Sequence, residues 1–166
     1  MFELILVRHA KSDWGDPDLP DHERPLNARG SRDAPMMARV LAESGARVDR
    51  LLSSTAVRAR TTAEVFAARL GVEPELDREL YLASASTLWE QATSAGASSV
   101  MVVAHDPGLS ELAWTLSAGG IEHMPTCAVA RFIWEAESPV AHGRWAASEI
   151  PAPTRWSLSV PREHTG

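Results

Sequence analysis

Three short apolar segments of the chain each end at a polar loop. They are residues 3–8, 49–53 and 99–104. They are too short for typical helices, contain branched aliphatic side chains and do not alternate regularly with polar residues, which is typical of strands buried on both faces. The pattern predicts three central strands, each followed by a polar segment.

Helical spacing of apolar residues follows these strands. It is clearest over about residues 55–70, and Gly71 comes next, where a left-handed residue commonly ends a helix. Similar spacing predicts helices at residues 28–44, 84–95 and 107–117, with Asp106 as the N-cap of the last. The alternation of strands and helices favours an α/β architecture.

The C-terminal part of the chain has a different pattern. Residues 128–134 and 144–150 have the character of two strands and predict an antiparallel ribbon at one edge of the sheet. Prolines then accumulate among polar residues. We therefore expect one domain over residues 1–150 and a tail over 151–166 that wraps over the surface or is partly disordered.

Composition narrows the classes of protein that fit. The chain has 166 residues, of which 45% are hydrophobic and 23% charged, values that suit one globular domain with a real core. Its formal net charge of −6 argues against nucleic acid and anionic membranes as partners. A local positive pocket is still compatible with an acidic molecule.

The cysteine count and the N-terminal segment bear on location. Cys127 is the single cysteine, which excludes an internal disulfide and a cysteine-rich zinc site and fits a reducing compartment. The N-terminal apolar run lacks a basic leader and is too short to be a signal peptide or a membrane span. We expect a cytoplasmic protein, and a monomer.

Polar clusters lie at the ends of the three predicted strands: Arg8-His9, Ser53-Ser54 with Arg58, and His105-Asp106. Ligands of open α/β sheets bind beyond the carboxyl ends of the strands, so we expect these clusters to converge. Guanidinium and imidazole groups suit a phosphoryl group, whose oxygens accept hydrogen bonds while a ring nitrogen attacks phosphorus. The motifs of zinc proteases, dinucleotide-binding proteins and P-loop proteins are absent from the sequence.

The same clusters carry a family resemblance. The segments LVRHAKS at 6–12, SSTAVRARTTAE at 53–64 and VVAHDPGLSEL at 102–112 resemble the histidine phosphatase superfamily, in particular its short SixA-like phosphohistidine phosphatases. The usual Arg-His-Gly motif is Arg8-His9-Ala10 here. The resemblance implies a three-layer α/β/α sandwich of the phosphoglycerate mutase type, with a mostly parallel sheet and an antiparallel edge.

The resemblance also implies roles for residues. His9 would accept the phosphoryl group, Arg8, Arg58 and His105 would bind it, and neither a metal nor another cofactor would take part. His9 can attack only as a neutral imidazole with one free nitrogen, which calls for a nearby carbonyl that accepts its N–H. The positive charge of the arginines should disfavour protonation of His9.

Arg24, in the segment ERPLN, matches a position that contacts phosphate in SixA-like proteins. We therefore include it among the expected substrate-binding residues. The alternative is a loop cation that pairs with Asp21 or Glu23.

Glu79, in the segment DRELYLA, matches the position of the general acid in many members of the superfamily. Burial beside Leu80 and Leu82 would raise the pKa of its carboxyl group enough for that role. Alternatively, Glu79 orients Arg58 or Arg78 through an ion pair.

The length of chain that could cover the site bears on the class of substrate. Between Leu82 and Val100 the chain has space for one helix and short loops, so we expect an open site without a large cover. An open site favours phosphohistidine on a protein surface. The alternatives are a small-molecule phosphomonoesterase and a non-catalytic phosphoryl-binding module, and the presence of both histidines argues against the second.

Overall fold

The computed structural model describes residues 1–135 and 149–165. Within these residues six strands form one sheet: β1 Phe2–Arg8, β2 Arg50–Ser53, β3 Pro74–Leu76, β4 Ser99–Ala104, β5 Val129–Trp134 and β6 Arg155–Ser159. Their order across the sheet is β3-β2-β4-β1-β5-β6. The pairs among β3, β2, β4 and β1 are parallel, and β5 and β6 add an antiparallel edge. The predicted α/β fold is confirmed.

Four α-helices lie within the described residues: α1 Ala28–Glu43, α2 Val57–Leu70, α3 Ala85–Thr93 and α4 Gly108–Leu116. Their bounds follow the sequence pattern closely because clear signals mark their ends. The Asn27 side chain accepts from the Gly30 N–H at the start of α1, and Gly71 ends α2 at φ +69°. No helix in these residues is both long and apolar enough to cross a membrane.

The central strands contribute side chains to two apolar layers. Leu4 and Leu6 of β1 face the layer formed with α3 and α4, whereas Ile5 and Val7 face the layer formed with α1 and α2. This double burial explains why the sequence of β1 does not alternate between apolar and polar residues. Burying each such side chain contributes about 1.5–3 kcal/mol, so these layers fix the position of the strand ends.

The sheet is wider than the sequence pattern predicted. Residues 155–159, expected in a surface-wrapping tail, form β6 and pair with β5. This strand was missed because its residues are mostly exposed, although Leu158 packs on the core and Val160 is buried. Residues 144–148 of the predicted ribbon lie outside the described residues. The three-residue strand β3 was also missed, since it is short and partly exposed.

Candidate active site

The ends of three neighbouring parallel strands meet at one cavity. His9 follows β1, His105 follows β4, and Ser54 with Arg58 follows β2, and these strands are adjacent in the sheet. The cavity has a volume of about 210 Å³ and is lined by Arg8, His9, Lys11, Ser12, Trp14, Arg24, Arg58, Leu82, His105, Asp106 and Thr126. No group of three or more His, Cys, Asp or Glu side chains in the described part of the chain could hold a metal ion.

His9 is held in one orientation by the backbone around it. Its Nδ1–H donates to the carbonyl oxygen of Ala10 at 2.8 Å. The Nε2 atom therefore carries the lone pair, and the Nε–H of Arg58 donates to it at 3.3 Å. A nucleophilic imidazole requires a carbonyl partner of this kind.

Burial keeps the His9 imidazole neutral. The residue is 6% exposed, and desolvation lowers its pKa to about 4, with the charges of Arg58 and Arg8 adding to the effect and the bond to Ala10 opposing it. The sequence suggested that the arginines would have this effect. In the structure desolvation is the larger cause.

His105 lies beside His9, with 5.1 Å between the ring centroids. Its Nε2 is 2.7 Å from the Ser54 hydroxyl oxygen, and its buried Nδ1 has no hydrogen-bond partner among the described residues. Desolvation, and after it the neighbouring His9 and Arg58, lower the pKa of His105 to about 3. A second neutral imidazole therefore faces the cavity at pH 7.

Arg58 is almost fully buried and bridges His9 to the loop before α1. Besides its bond to His9, it donates to the Asp21 carbonyl oxygen at 2.7 Å and to Asp21 Oδ2 at 2.9 Å. Three of its N–H groups are thus fixed by protein acceptors. Arg58 also lines the cavity.

The guanidinium group of Arg8 makes fewer hydrogen bonds to the protein than that of Arg58. Its Nη1 donates to the Met124 carbonyl oxygen at 3.0 Å and lies 3.5 Å from Asp106 Oδ2, while its buried Nε has no partner among the described residues. Asp106 accepts from the Ser110 N–H at the start of α4, but the N-cap is Pro107 and not Asp106 as the sequence predicted. One Arg8 donor is therefore unsatisfied next to His9.

Arg24 combines the two alternatives that the sequence left open. It lines the cavity and is buried, and it also donates to Asp21 Oδ1 from Nε at 3.2 Å and from Nη2 at 3.1 Å. Its Nη1 donates to the Ser12 hydroxyl at 2.6 Å. Its guanidinium carbon lies 3.5 Å from the centroid of the Trp14 ring. Arg24 is therefore a fixed cation at the cavity wall.

Asp21 is the residue of this site whose importance the sequence analysis missed. Its carboxylate accepts from Arg24 and Arg58, and the Tyr81 hydroxyl donates to Oδ2 at 2.6 Å. Partial desolvation opposes ionisation, but the hydrogen bonds from Tyr81 and Arg58 hold the pKa of Asp21 well below its usual range. Its spacing from Arg24 suggested one of these contacts. The contacts to Arg58 and Tyr81 join distant parts of the chain and leave no local pattern.

The structure does not bring Glu79 into the cavity. Glu79 is exposed, and its side chain makes no hydrogen bond or ion pair to any described residue; its N–H donates to Asp77 Oδ1. The short 3-10 turn Arg78–Leu80 buries Leu80 and leaves Glu79 outside. Both the expected burial beside Leu82 and the alternative ion pair with Arg58 or Arg78 are therefore corrected, because Leu82 is itself exposed and Arg58 pairs with Asp21.

The chain matches one protein family and several known proteins in sequence. Residues 4–94 match the model of the histidine phosphatase superfamily, branch 1. An uncharacterized chloroplastic protein of Arabidopsis thaliana is 31% identical over 75% of this chain, which spans 62% of that relative's length. An uncharacterized protein of Mycobacterium tuberculosis is 36% identical over 68% of this chain and 70% of its own length.

Several solved structures also match this chain. The crystal structure of SixA from Agrobacterium tumefaciens is 30% identical, with a TM-score of 0.71 over 79% of this chain and 91% of that one. The protein histidine phosphatase SixA in complex with tungstate is 24% identical, with a TM-score of 0.70 over 81% and 89% of the two chains. A mycobacterial glucosyl-3-phosphoglycerate phosphatase shares the fold at 16% identity, with a TM-score of 0.63 over 96% and 98%.

Proposed function

Because the chain belongs to the SixA-like branch of the histidine phosphatase superfamily and is a phosphatase, we propose that it hydrolyses phosphohistidine on proteins through a phosphoryl intermediate on His9. One observation carries this proposal. The imidazole of His9 is neutral, and its Nδ1–H is held by Ala10, so the attacking lone pair is on Nε2, which exchanges its hydrogen bond from Arg58 for the bond to phosphorus.

The reaction follows from this arrangement in two displacements. His9 Nε2 forms a bond to phosphorus while the bond from phosphorus to the substrate nitrogen breaks, and the substrate imidazole leaves. Water then attacks the phosphorus of phosphorylated His9, inorganic phosphate is released, and the imidazole of His9 becomes neutral again. The guanidinium groups of Arg8, Arg24 and Arg58, with His105, would stabilise the negative charge on the phosphoryl oxygens in both steps.

The requirement for a proton donor supports phosphohistidine over a phosphomonoester. An alkoxide leaving group needs a strong general acid, but Asp21 is held ionised, Asp106 is engaged with Arg8 and Ser110, and Glu79 lies outside the cavity. A phosphohistidine that is protonated on its other ring nitrogen departs as a neutral imidazole. Such a substrate requires no carboxylic acid from the protein.

Comparison of substrates tests this proposal. Phosphate release would be measured from a phosphohistidine peptide, from phosphoramidate, which offers the same P–N bond without a ring, and from phosphoserine. We expect kcat/KM for the phosphohistidine peptide to exceed that for phosphoserine by about 10²-fold or more, since a missing general acid costs on that order. Preference for phosphoserine would make the chain a small-molecule phosphomonoesterase. Hydrolysis of none of the three would overturn the proposal.

The cellular location and the oligomeric state of the protein are proposed together with its function. We propose that the protein acts as a monomer in the cytoplasm, and that the chain forms one domain. The free Cys127 is buried, and burial raises the pKa of its thiol to about 12, which fits a structural residue and no redox role. Sedimentation of the purified chain would test the monomer, and a dimer would contradict it.

A further inference from the structure

Two large apolar side chains are exposed at the mouth of a cavity that is otherwise polar. Among the described residues six large apolar side chains are exposed, and two of them, Trp14 at 70% and Leu82 at 56%, line the same cavity as His9. Single exposed apolar residues are ordinary on protein surfaces. Here two exposed apolar residues lie beside the same arginine-lined cavity, and the reaction at phosphorus needs neither of them. We call Trp14 and Leu82 the apolar rim.

The backbone of Leu82 adopts an unfavourable conformation. Its φ is +51°, in the left-handed region that leucine disfavours and that glycine or asparagine adopts more easily. The next residue packs tightly against the start of α4, since a Cβ added at Gly108 would lie 2.0 Å from the Ala83 carbonyl oxygen. The fold therefore fixes an exposed leucine in a strained conformation beside the nucleophile. Strain of this kind concentrates at functional sites.

Trp14 is tied to the phosphate-binding groups. The Arg24 guanidinium stacks on its ring at 3.5 Å and donates at the same time to Ser12 and Asp21. This cation–π contact positions the indole next to a cavity cation, although most of the ring stays exposed. An aromatic face is thus presented where the remainder of a bound phosphorylated molecule would lie.

We infer that the apolar rim binds the leaving group, namely the imidazole ring of phosphohistidine and the polypeptide next to it. This inference rests on the proposed function. A planar ring attached to phosphorus can pack on the indole of Trp14 and the side chain of Leu82 while the arginines bind the phosphoryl oxygens. A small hydrophilic phosphate compound has nothing to place against these side chains. The rim therefore determines specificity, and the arginines and histidines determine reactivity.

Two P–N substrates separate these roles. The variants Trp14→Ala and Leu82→Asn would be assayed on a phosphohistidine peptide and on phosphoramidate. We expect kcat/KM for the peptide to fall about tenfold in each variant, mainly through a higher KM, because a lost aromatic or apolar contact has that order of effect. In both variants activity on phosphoramidate should fall less than activity on the peptide, and in Leu82→Asn it should stay within about twofold. Asparagine tolerates the left-handed backbone, so the Leu82 variant should fold.

Two control variants accompany the test. Trp14→Phe retains an aromatic face and should lose much less activity on the peptide than Trp14→Ala. Leu76→Asn removes another exposed leucine, on β3 and outside the cavity lining, and should leave both substrates unaffected. Thermal melting of all four variants establishes that each is folded.

The outcomes separate failure of this inference from failure of the proposed function. Equal losses on both substrates would mean that Trp14 acts only by positioning Arg24, and unchanged activity on the peptide would mean that the rim binds nothing. Either result overturns the inference while the wild-type activity supports the proposed function. A folded wild-type protein that hydrolyses neither P–N compound overturns both.

Discussion

The floor and the rim of the cavity differ in almost every physical property. The floor consists of His9, Arg58 and His105, which are buried and contact one another, and the rim consists of Trp14 and Leu82, which are exposed. Charges on the floor are shielded from water, and the imidazoles there have strongly lowered pKa values. The difference fits the proposed division of roles, in which buried groups would carry the reaction and exposed groups would select the substrate.

The division follows from how the chain is folded. His9 and His105 come directly after strands in the centre of the sheet, whose positions are fixed by packing on both faces, and Arg58 lies in the first turn of α2. The rim residues lie on loops, where side chains can contact a partner without disturbing the core.

The largest effect is expected from Arg58→Ala. This change removes a buried guanidinium that contacts His9 Nε2, so kcat/KM should fall by about 10²–10³-fold, the usual loss for a preorganised group that stabilises transition-state charge. Steady-state kinetics on the phosphohistidine peptide would measure it. Arg60→Ala is the matched control, since Arg60 lies on the same helix but is exposed and pairs with Glu64. A loss of only a few-fold in Arg58→Ala would contradict a catalytic floor.

The floor should also make stability depend on pH. In the folded state the pKa of His9 is about 4 and that of His105 about 3, below the ordinary 6.5. Below pH 6.5 the unfolded chain therefore binds protons that the folded chain excludes, and stability present above pH 6.5 is lost as the pH falls. Each histidine contributes up to roughly 1.4 kcal/mol per pH unit in that range.

Urea unfolding at several pH values between 6 and 4 measures this dependence. The variant His9→Asn should flatten the slope by about 1 kcal/mol per pH unit. A slope that does not change in His9→Asn would show that burial does not exclude protons from the floor.

A smaller effect is expected from Asp21→Asn. The carboxylate connects Arg24, Arg58 and Tyr81, so an uncharged side chain should loosen both arginines and lower kcat/KM about tenfold. Tyr81→Phe removes one donor to the same carboxylate and should lower kcat/KM less than Asp21→Asn does. Increased activity in Asp21→Asn would instead mean that the carboxylate competes with the substrate for the arginines.

The smallest effect is expected from Glu79→Gln. Glu79 is exposed and outside the cavity lining, so kcat/KM should remain within about twofold of the wild-type value on every substrate. A full pH–rate profile would show whether a protonated group has been lost. A tenfold decrease confined to phosphomonoesters would restore Glu79 as a general acid and weaken the case for phosphohistidine.

The parts of the fold that the sequence predicted well are those with strong local signals. The runs that became β1, β2 and β4 are buried on both faces, and Gly71 marks the end of α2. The edge strand β6 has exposed residues between prolines, and β3 has only three residues, so neither has a pattern that distinguishes it from a loop. Pairing with a neighbouring strand defines both, and that contact is not local in sequence.

The residues of the candidate site also differ in whether a local sequence pattern predicts them. Arg8 ends β1, His9 and His105 directly follow strands, and Arg58 lies in the first turn of the helix after β2. A sequence pattern reveals these positions. The role of Asp21 depends on contacts with Arg58 and Tyr81 across long chain separations. Glu79 was misplaced because the sequence does not show which side chain of a one-turn segment faces inward; in the structure that side chain is Leu80.

The most direct test of the account is the mass of the intact protein during turnover. The protein would be mixed with phosphoramidate and quenched rapidly in alkali, in which phosphohistidine survives. We expect one phosphoryl adduct, mapped to His9 in the wild-type protein, and no adduct in His9→Ala. An adduct that persists in His9→Ala, or one that maps to another residue, would contradict the claim that His9 is the nucleophile.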